Sequence, residues 1–168
     1  MLYLIVSDLH GSSSGMKRLK EIVLAEKPDV LIMLGDMLHG AHDADDFYCV
    51  SELKCLPCGL LGVRGNCDYS YDEKQLGITL PTARRIDFGL HSLYLMHRPP
   101  ELSFCAGDVV LYGHTHRKHL EKVRGVYLFN PGSIALPRDD GPGYGLFNGK
   151  KLILKDALTQ GLLAEEKI

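Results

Sequence analysis

Leu2-Tyr3-Leu4-Ile5-Val6-Ser7-Asp8-Leu9-His10-Gly11 runs five apolar residues straight into a polar cluster that holds a carboxylate and an imidazole. The apolar part has the length of a buried strand, is too short for a membrane helix or a signal-peptide core, and lacks a basic leader. A first strand over 2–6 that ends in chemistry is therefore expected, in a cytoplasmic protein. The rest of the chain agrees, since 45 % hydrophobic and 24 % charged residues are ordinary globular values. No stretch reaches the roughly 18 unbroken apolar residues of a membrane span. At 168 residues, one domain over 1–168 is expected, and so one site.

Outward from that first strand the elements alternate: a helix near 15–26, a strand at 30–34, a helix near 45–54 and a strand at 60–63. Such a βαβαβ order argues for a largely parallel sheet. Met16, Leu19, Ile22 and Val23 recur at helical spacing, and Pro28 marks the end of that helix. A polar, turn-rich stretch follows at 68–82. Strands are then expected near 83–88, 92–96, 108–112, 119–123, 126–129, 143–147 and 151–156. Gly89-Leu90-His91, Arg124-Gly125 and Asn148-Gly149 read as hairpin turns, the last with a type I′ signature. A βα half joined to an antiparallel half suggests two packed sheets with helices outside, an α/β (α+β) architecture.

Composition narrows the partners. Nineteen basic and 21 acidic residues give a formal charge of −2 and are well mixed. No basic stripe marks a nucleic-acid binder, so stable nucleic-acid binding is not expected, while a nucleotide stays open as a substrate. The cysteines (Cys49, Cys55, Cys58, Cys67 and Cys105) form an odd set without a disulfide framework. Cys55-Leu56-Pro57-Cys58 has redox spacing, but no second pair completes a tetrahedral metal site, and it reads as packing.

The chemistry sits where apolar runs stop. Five of them end in ligand-type clusters: Val6-Ser7-Asp8-Leu9-His10-Gly11, Leu34-Gly35-Asp36, Val63-Arg64-Gly65-Asn66-Cys67-Asp68, Leu95-Met96-His97 and Tyr112-Gly113-His114-Thr115-His116. Ligands of open α/β sheets bind in the crevice beyond the carboxyl ends of the strands. Asp8 and His10 are two apart, as are His114 and His116, so each pair can project to one side of an extended loop. Carboxylate, imidazole and amide oxygen without a thiolate cluster suit Mn²⁺, Fe²⁺, Zn²⁺ or Ni²⁺. Each fragment alone is an ordinary turn; their conjunction at five strand ends is the signal.

In these blocks the chain resembles the calcineurin-like metallophosphoesterase superfamily, over residues 4 to about 135. Gly65-Asn66-Cys67-Asp68, Gly113-His114-Thr115-His116 and Asn130-Pro131-Gly132-Ser133 are most similar to its small prokaryotic phosphodiesterase group. The resemblance implies a four-layer sandwich and two divalent ions, Mn²⁺ first, with Ni²⁺, Fe²⁺, Zn²⁺ or Mg²⁺ as alternatives. It places Asp8, His10, Asp36 and His116 on one ion and Asp36, Asn66, His97 and His114 on the other, with Asp36 bridging. Two such ions bring four positive charges against the two carboxylates, which favours a phosphate anion and lowers the pKa of a bridging water. A metal-bridging hydroxide would then attack phosphorus in line.

Two departures stand out. The superfamily carries histidine where this chain has Cys67, a poorer acid at neutral pH. At Met96-His97-Arg98-Pro99 the small phosphodiesterases commonly carry His-Gly-His; Arg98 is either a phosphate contact or an exposed arginine. Asp36, Asn66, Cys67 and Asp68 are the candidate catalytic residues, Asp68 from behind a ligand or Cys67. His39 and His42 lie in a polar loop that either lines the entrance or is plain surface, whereas His91 and His119 read as structural. The expected function is metal-dependent hydrolysis of a small phosphate ester, most simply a diester. The alternatives are a phosphomonoesterase or nucleotidase with the same site, or a protein-binding scaffold of that fold, as in a eukaryotic retromer subunit. The full ligand set argues against a scaffold. A homo-oligomer is left open.

Overall fold

The computed structural model describes residues 1–40, 43–101 and 104–168. Strands β1 (Tyr3–Val6), β2 (Val30–Met33) and β3 (Gly59–Gly62) alternate with helices α1 (Ser13–Glu26) and α2 (Ala44–Lys54). Then follow α3 (Ser70–Leu76), β4 (Ala83–Phe88), β5 (His91–Met96), β6 (Val109–Leu111), β7 (Lys118–Val123), β8 (Val126–Pro131), β9 (Gly143–Phe147), β10 (Lys151–Asp156) and β11 (Leu162–Lys167). One sheet has the order β11-β10-β9-β1-β2-β3 and the other β4-β5-β6-β8-β7.

The unbroken apolar strands at the start are explained by burial on both faces. Leu4, Val6, Leu31 and Met33 point to the side where α1, α2 and α3 pack, while Ile5 and Ile32 point into the core between the sheets with Leu93, Leu95, Val109, Leu111 and Phe129. α1 presents Met16, Leu19, Ile22 and Val23 to the sheet and is capped by Ser12, whose hydroxyl accepts the Gly15 amide at 3.1 Å. Asp43 caps α2 through the amides of Asp45 and Asp46.

Several details depart from the sequence reading. The stretch at 68–82 contains α3, with Asp72 accepting the Tyr69 amide at 2.6 Å and Gly77 closing the helix at φ +71°. The strand β11 had no counterpart in that reading. The second sheet is mixed: β5 pairs with β6, and β6 with β8, in parallel, while β9 and β10 return to the first sheet. Among the described residues no helix covers the far side of the second sheet; there the crossover from β5 to β6 sets Phe104 edge-on against Tyr94, ring centroids 4.9 Å apart. At Arg124-Gly125, where a hairpin turn was expected, both residues have positive φ, which makes the turn type I′. In the β9–β10 hairpin Asn148 pairs with Lys151 and only Gly149 is left-handed, so the turn is centred one residue later and Asn148 instead caps it through the Lys150 and Lys151 amides.

The parallel pairing positions the site. Antiparallel β5 and β6 would send the residues after them to opposite ends of the sheet. In register, Leu95 beside Leu111, they deliver His97 and His114 to one edge, where β1, β2 and β3 also end.

Candidate metal centre

Backbone hydrogen bonds stitch the loops beyond these strands together. The amides of Asp8, His10 and Gly11 donate to the carbonyls of Gly35, Asp36 and Met37 at 3.1, 2.9 and 3.0 Å, and Gly113 donates to His97 at 2.9 Å. Two glycines permit the approach. A Cβ on Gly35 would stand 2.7 Å from the Gly65 backbone and from His97 Nδ1, and one on Gly65 would fall on the Asp36 carboxylate. Of the eight non-glycine residues with positive φ among those described, five are candidate ligands: Asp8, His10, Asp36, His114 and His116, at +49° to +65°.

The seven candidate ligands converge. His116 Nε2 lies 3.3 Å from Asp8 Oδ1 and from His10 Nε2, and His10 Nε2 is 3.8 Å from both Asp8 and Asp36. On the other side His97 Nε2 is 3.1 Å from Asn66 Oδ1, 3.4 Å from Asp36 Oδ2 and 3.3 Å from His114 Nδ1. Asp36 therefore stands between the two groups, one centred on Asp8, His10 and His116 and the other on His97, Asn66 and His114.

The hydrogen bonding around these atoms tests whether a cation belongs there. His97 donates from Nδ1 to the Leu34 carbonyl at 2.8 Å and His116 from Nδ1 to Leu136 at 2.6 Å. In the neutral rings Nε2 must then present a lone pair, and at His97 it faces an amide oxygen, a carboxylate oxygen and another ring nitrogen. Acceptors cannot satisfy one another; a positive charge must sit among them. Asp8 Oδ1 repeats the pattern, being buried with no hydrogen-bond partner. Ligand atoms that each lie about 2.1 Å from one ion stand about 3.0–3.4 Å apart at right-angled to tetrahedral openings, the separation found around His97 and His116, while His10 stands 3.8 Å from the two carboxylates. The donors fit divalent metal.

The protein's own charges respond to the same demand. Burial alone would raise Asp36, but the hydrogen bond to His97 and the Cys67 amide, at 2.7 Å, hold its carboxyl down at about 2. For His97, burial is outweighed by the Asp36 carboxylate, and its proton affinity rises. Burial lowers His10 and His114, and for His114 the neighbouring His97 and Arg98 add to the effect.

The remaining candidates separate clearly. Cys67 Sγ belongs to the same constellation as His10 and Asp36 and receives the Asn66 amide at 3.3 Å. Burial first, then the Asp36 carboxylate, push its thiol up to about 11, so it is protonated. Asp68 is turned away from the centre. Its oxygens accept the amides of Asp36 and Gly65 at 2.8 Å each and of Met37 at 3.0 Å, with Leu38 at 3.5 Å. Burial raises its carboxyl even though those amides, Gly65 first, pull it down. In this geometry Asp68 holds the Asp36 turn through its backbone amides. His39 donates into the buried Asp46 carboxylate at 2.8 Å and packs over Gly11, beside His10. His42 lies outside the described residues. His91 packs on Phe88 and His119 bonds Tyr112 at 2.7 Å, both away from the centre. Cys55 and Cys58 are free thiols.

Two residues organise the centre from behind. Asn130 donates to the Gly113 carbonyl at 2.8 Å and to Thr115 at 3.0 Å, and Ser133 donates to the Asp8 carbonyl at 2.6 Å while accepting the Leu136 amide. Their signal in the sequence is Asn130-Pro131-Gly132-Ser133 after a buried strand, readable only by resemblance. An open cleft of about 470 Å³ adjoins the centre at Asn66 and His97.

Known proteins give the same picture. Over 182 aligned positions the chain is 30 % identical to Phosphodiesterase YfcE of Escherichia coli strain K12, covering 100 % of this chain and 98 % of that protein. The solved structure of YfcE, described as a phosphoesterase, matches with a TM-score of 0.90 at 28 % identity over 100 % of both chains. Vacuolar Protein Sorting 29 of Cryptosporidium parvum shares the fold at a TM-score of 0.69 and 20 % identity, over 99 % of this chain and 98 % of that one. Residues 1–151 match the calcineurin-like phosphoesterase superfamily domain, a span that holds every convergent ligand described above, and the chain belongs to that superfamily.

Proposed function

We propose that this phosphoesterase is a phosphodiesterase with two divalent cations, one held by Asp8, His10, Asp36 and His116 and the other by Asp36, Asn66, His97 and His114. The observation that carries the reading is the ring of acceptors around His97 Nε2, matched by the unpartnered Asp8 Oδ1, in a chain 30 % identical to a phosphodiesterase over its full length. When bound, such ions supply the charge that attracts a phosphate ester and activates water for in-line attack.

The chain's own residues do the rest. The carbonyls of Leu34 and Leu136 fix the rings of His97 and His116 with Nε2 aimed inward. Asp36, whose Oδ1 accepts the Cys67 amide at 2.7 Å, is placed to be shared between the two groups. Cys67 sets sulfur beside the centre where the superfamily has an imidazole, and a thiol is a weaker acid than an imidazolium, so departure depends on the acidity of the leaving group itself. No side chain has to be phosphorylated. The five cysteines, all free thiols, fit a reducing cytoplasm, and Mn²⁺ is the first metal to try.

The test is turnover of bis-nitrophenyl phosphate and nitrophenyl phosphate by metal-stripped protein supplied with Mn²⁺, Ni²⁺, Zn²⁺ or Mg²⁺, alongside elemental analysis. Diester turnover exceeding monoester turnover, at two ions per chain, is expected. Bound metal without turnover of either ester would instead favour a scaffold, and faster monoester turnover a phosphomonoesterase.

A further inference from the structure

We infer that the cleft beside Asn66 and His97 seats one arm of the ester, a group of aryl or nucleoside size, and that Arg98 at its junction with the metal centre contacts the phosphoryl oxygens. The inference rests on the diesterase reading and gives it a substrate class.

Size and lining carry the first part. About 470 Å³ falls within the span of small-ligand pockets, and the cleft opens directly on two candidate ligands. Its walls come from the paired strand ends β4 and β5, where Ala83 stands opposite Met96, and from Pro99 and Pro100, whose fixed φ makes that wall rigid. A flat apolar arm finds contact here, whereas a bare phosphate gains nothing from these walls.

Charge carries the second part. Arg64 also borders the cleft, but its guanidinium is held by Glu73 at 2.9 Å. Arg98 has no ion-pair partner among the described residues, follows a candidate ligand directly and lines the cleft together with Asn66 and His97. A guanidinium in that position meets an anion whose arm points into the cleft, and its planar fork suits two phosphoryl oxygens.

Phenylphosphonate and methylphosphonate separate arm from anion, because neither is hydrolysed and they differ only in the arm. Their affinities for Mn²⁺-loaded protein are measured by calorimetry. Wild type is expected to prefer the phenyl compound about tenfold, from the apolar area that the ring buries. Ala83→Trp, at an exposed strand end where folding is not at stake, should fill the cleft and bring that ratio near one. Arg98→Ala should weaken both compounds about tenfold and keep the ratio. A ratio near one in wild type, or one that survives Ala83→Trp, overturns the arm subsite; unchanged affinities in Arg98→Ala overturn the phosphoryl contact. Absence of diester turnover would refute the diesterase reading separately, since calorimetry does not depend on it.

Discussion

Replacing Asp68 distinguishes a residue that touches substrate from one that builds the site. Its carboxylate is 6 % exposed and accepts three backbone amides within 3.0 Å and a fourth at 3.5 Å, all from the turns that carry Asp36 and Asn66. Asp68→Ala leaves those amides facing a void. Hydrogen bonds to a charged group contribute about 1.5–3 kcal/mol each, but bonds that share one acceptor are not additive, and relief of the buried charge offsets part of the loss. The net loss should be about 3–5 kcal/mol, the range for breaking a buried charge network. In a domain of this size that lowers the melting temperature by roughly 6–20 °C. Asp68→Asn keeps one acceptor oxygen and should lose about half as much. Urea unfolding in the presence of chelator isolates the effect from metal binding, which would itself stabilise the fold. A variant that lost turnover while matching wild type in stability and metal content would refute the positioning role and put Asp68 on the substrate.

Gly65→Ala should displace the Asp36 carboxylate, on which its methyl group would fall, with a destabilisation of about 1–3 kcal/mol and depleted metal at both positions by elemental analysis. Glu26 is depressed below its ordinary 4.5, since hydrogen bonds from Lys155 and Tyr144 outweigh burial. That stability is therefore present above about pH 4.5 and lost as pH falls through the lower folded value, and Glu26→Gln should flatten the drop in urea midpoint between pH 7 and pH 3.5. Wild type should cleave diesters with acidic leaving groups far faster than alkyl diesters. Cys67→His should lessen that dependence by restoring an acid worth about 10²–10⁴-fold, whereas one common slope of rate against leaving-group pKa in wild type, Cys67→Ala and Cys67→His would remove position 67 from leaving-group chemistry.

How much of this could be read in advance depended on how local the signal was. β1, β2 and the apolar stripe of α1 were legible because burial on one or both faces writes itself into adjacent residues. The parallel pairing of β5 with β6 was not. A strand of three residues, Val109–Leu111, carries no mark of direction, and its neighbours are chosen by the sheet core that Ile5, Ile32 and Phe129 also fill. β11 was missed because Leu162-Leu163-Ala164-Glu165-Glu166-Lys167 is an edge strand with exposed leucines and charges and lacks clean alternation. α3 carried its own signals, Asp72 near its start and Gly77 at its end, but a short helix offers little apolar periodicity. The convergence of the candidate ligands was legible because each ends an apolar run. Asp68 was expected behind a ligand or Cys67; that it grips the backbone amides of the Asp36 turn was not legible, since the amides it meets are brought to it by the pairing of distant strands.

The backbone shows why that distinction matters. A non-glycine residue in the left-handed region costs of order 1 kcal/mol, somewhat less for aspartate and histidine, whose side chains tolerate it. Five such residues in one centre amount to several kcal/mol, a large share of the roughly 5–15 kcal/mol by which a domain is stable. Asp8, Asp36, His114 and His116 can hold those turns only where their backbone groups are satisfied within them. Asp68 takes the Asp36 amide, Ser133 binds the Asp8 carbonyl, and Asn130 binds Gly113 and Thr115 on either side of His114. The strain bends each chain so that a lone pair, rather than a backbone group, faces the centre. In the proposed centre the candidate ligands would supply the affinity for cations, while these three side chains make the turns that aim them the conformation of lowest energy.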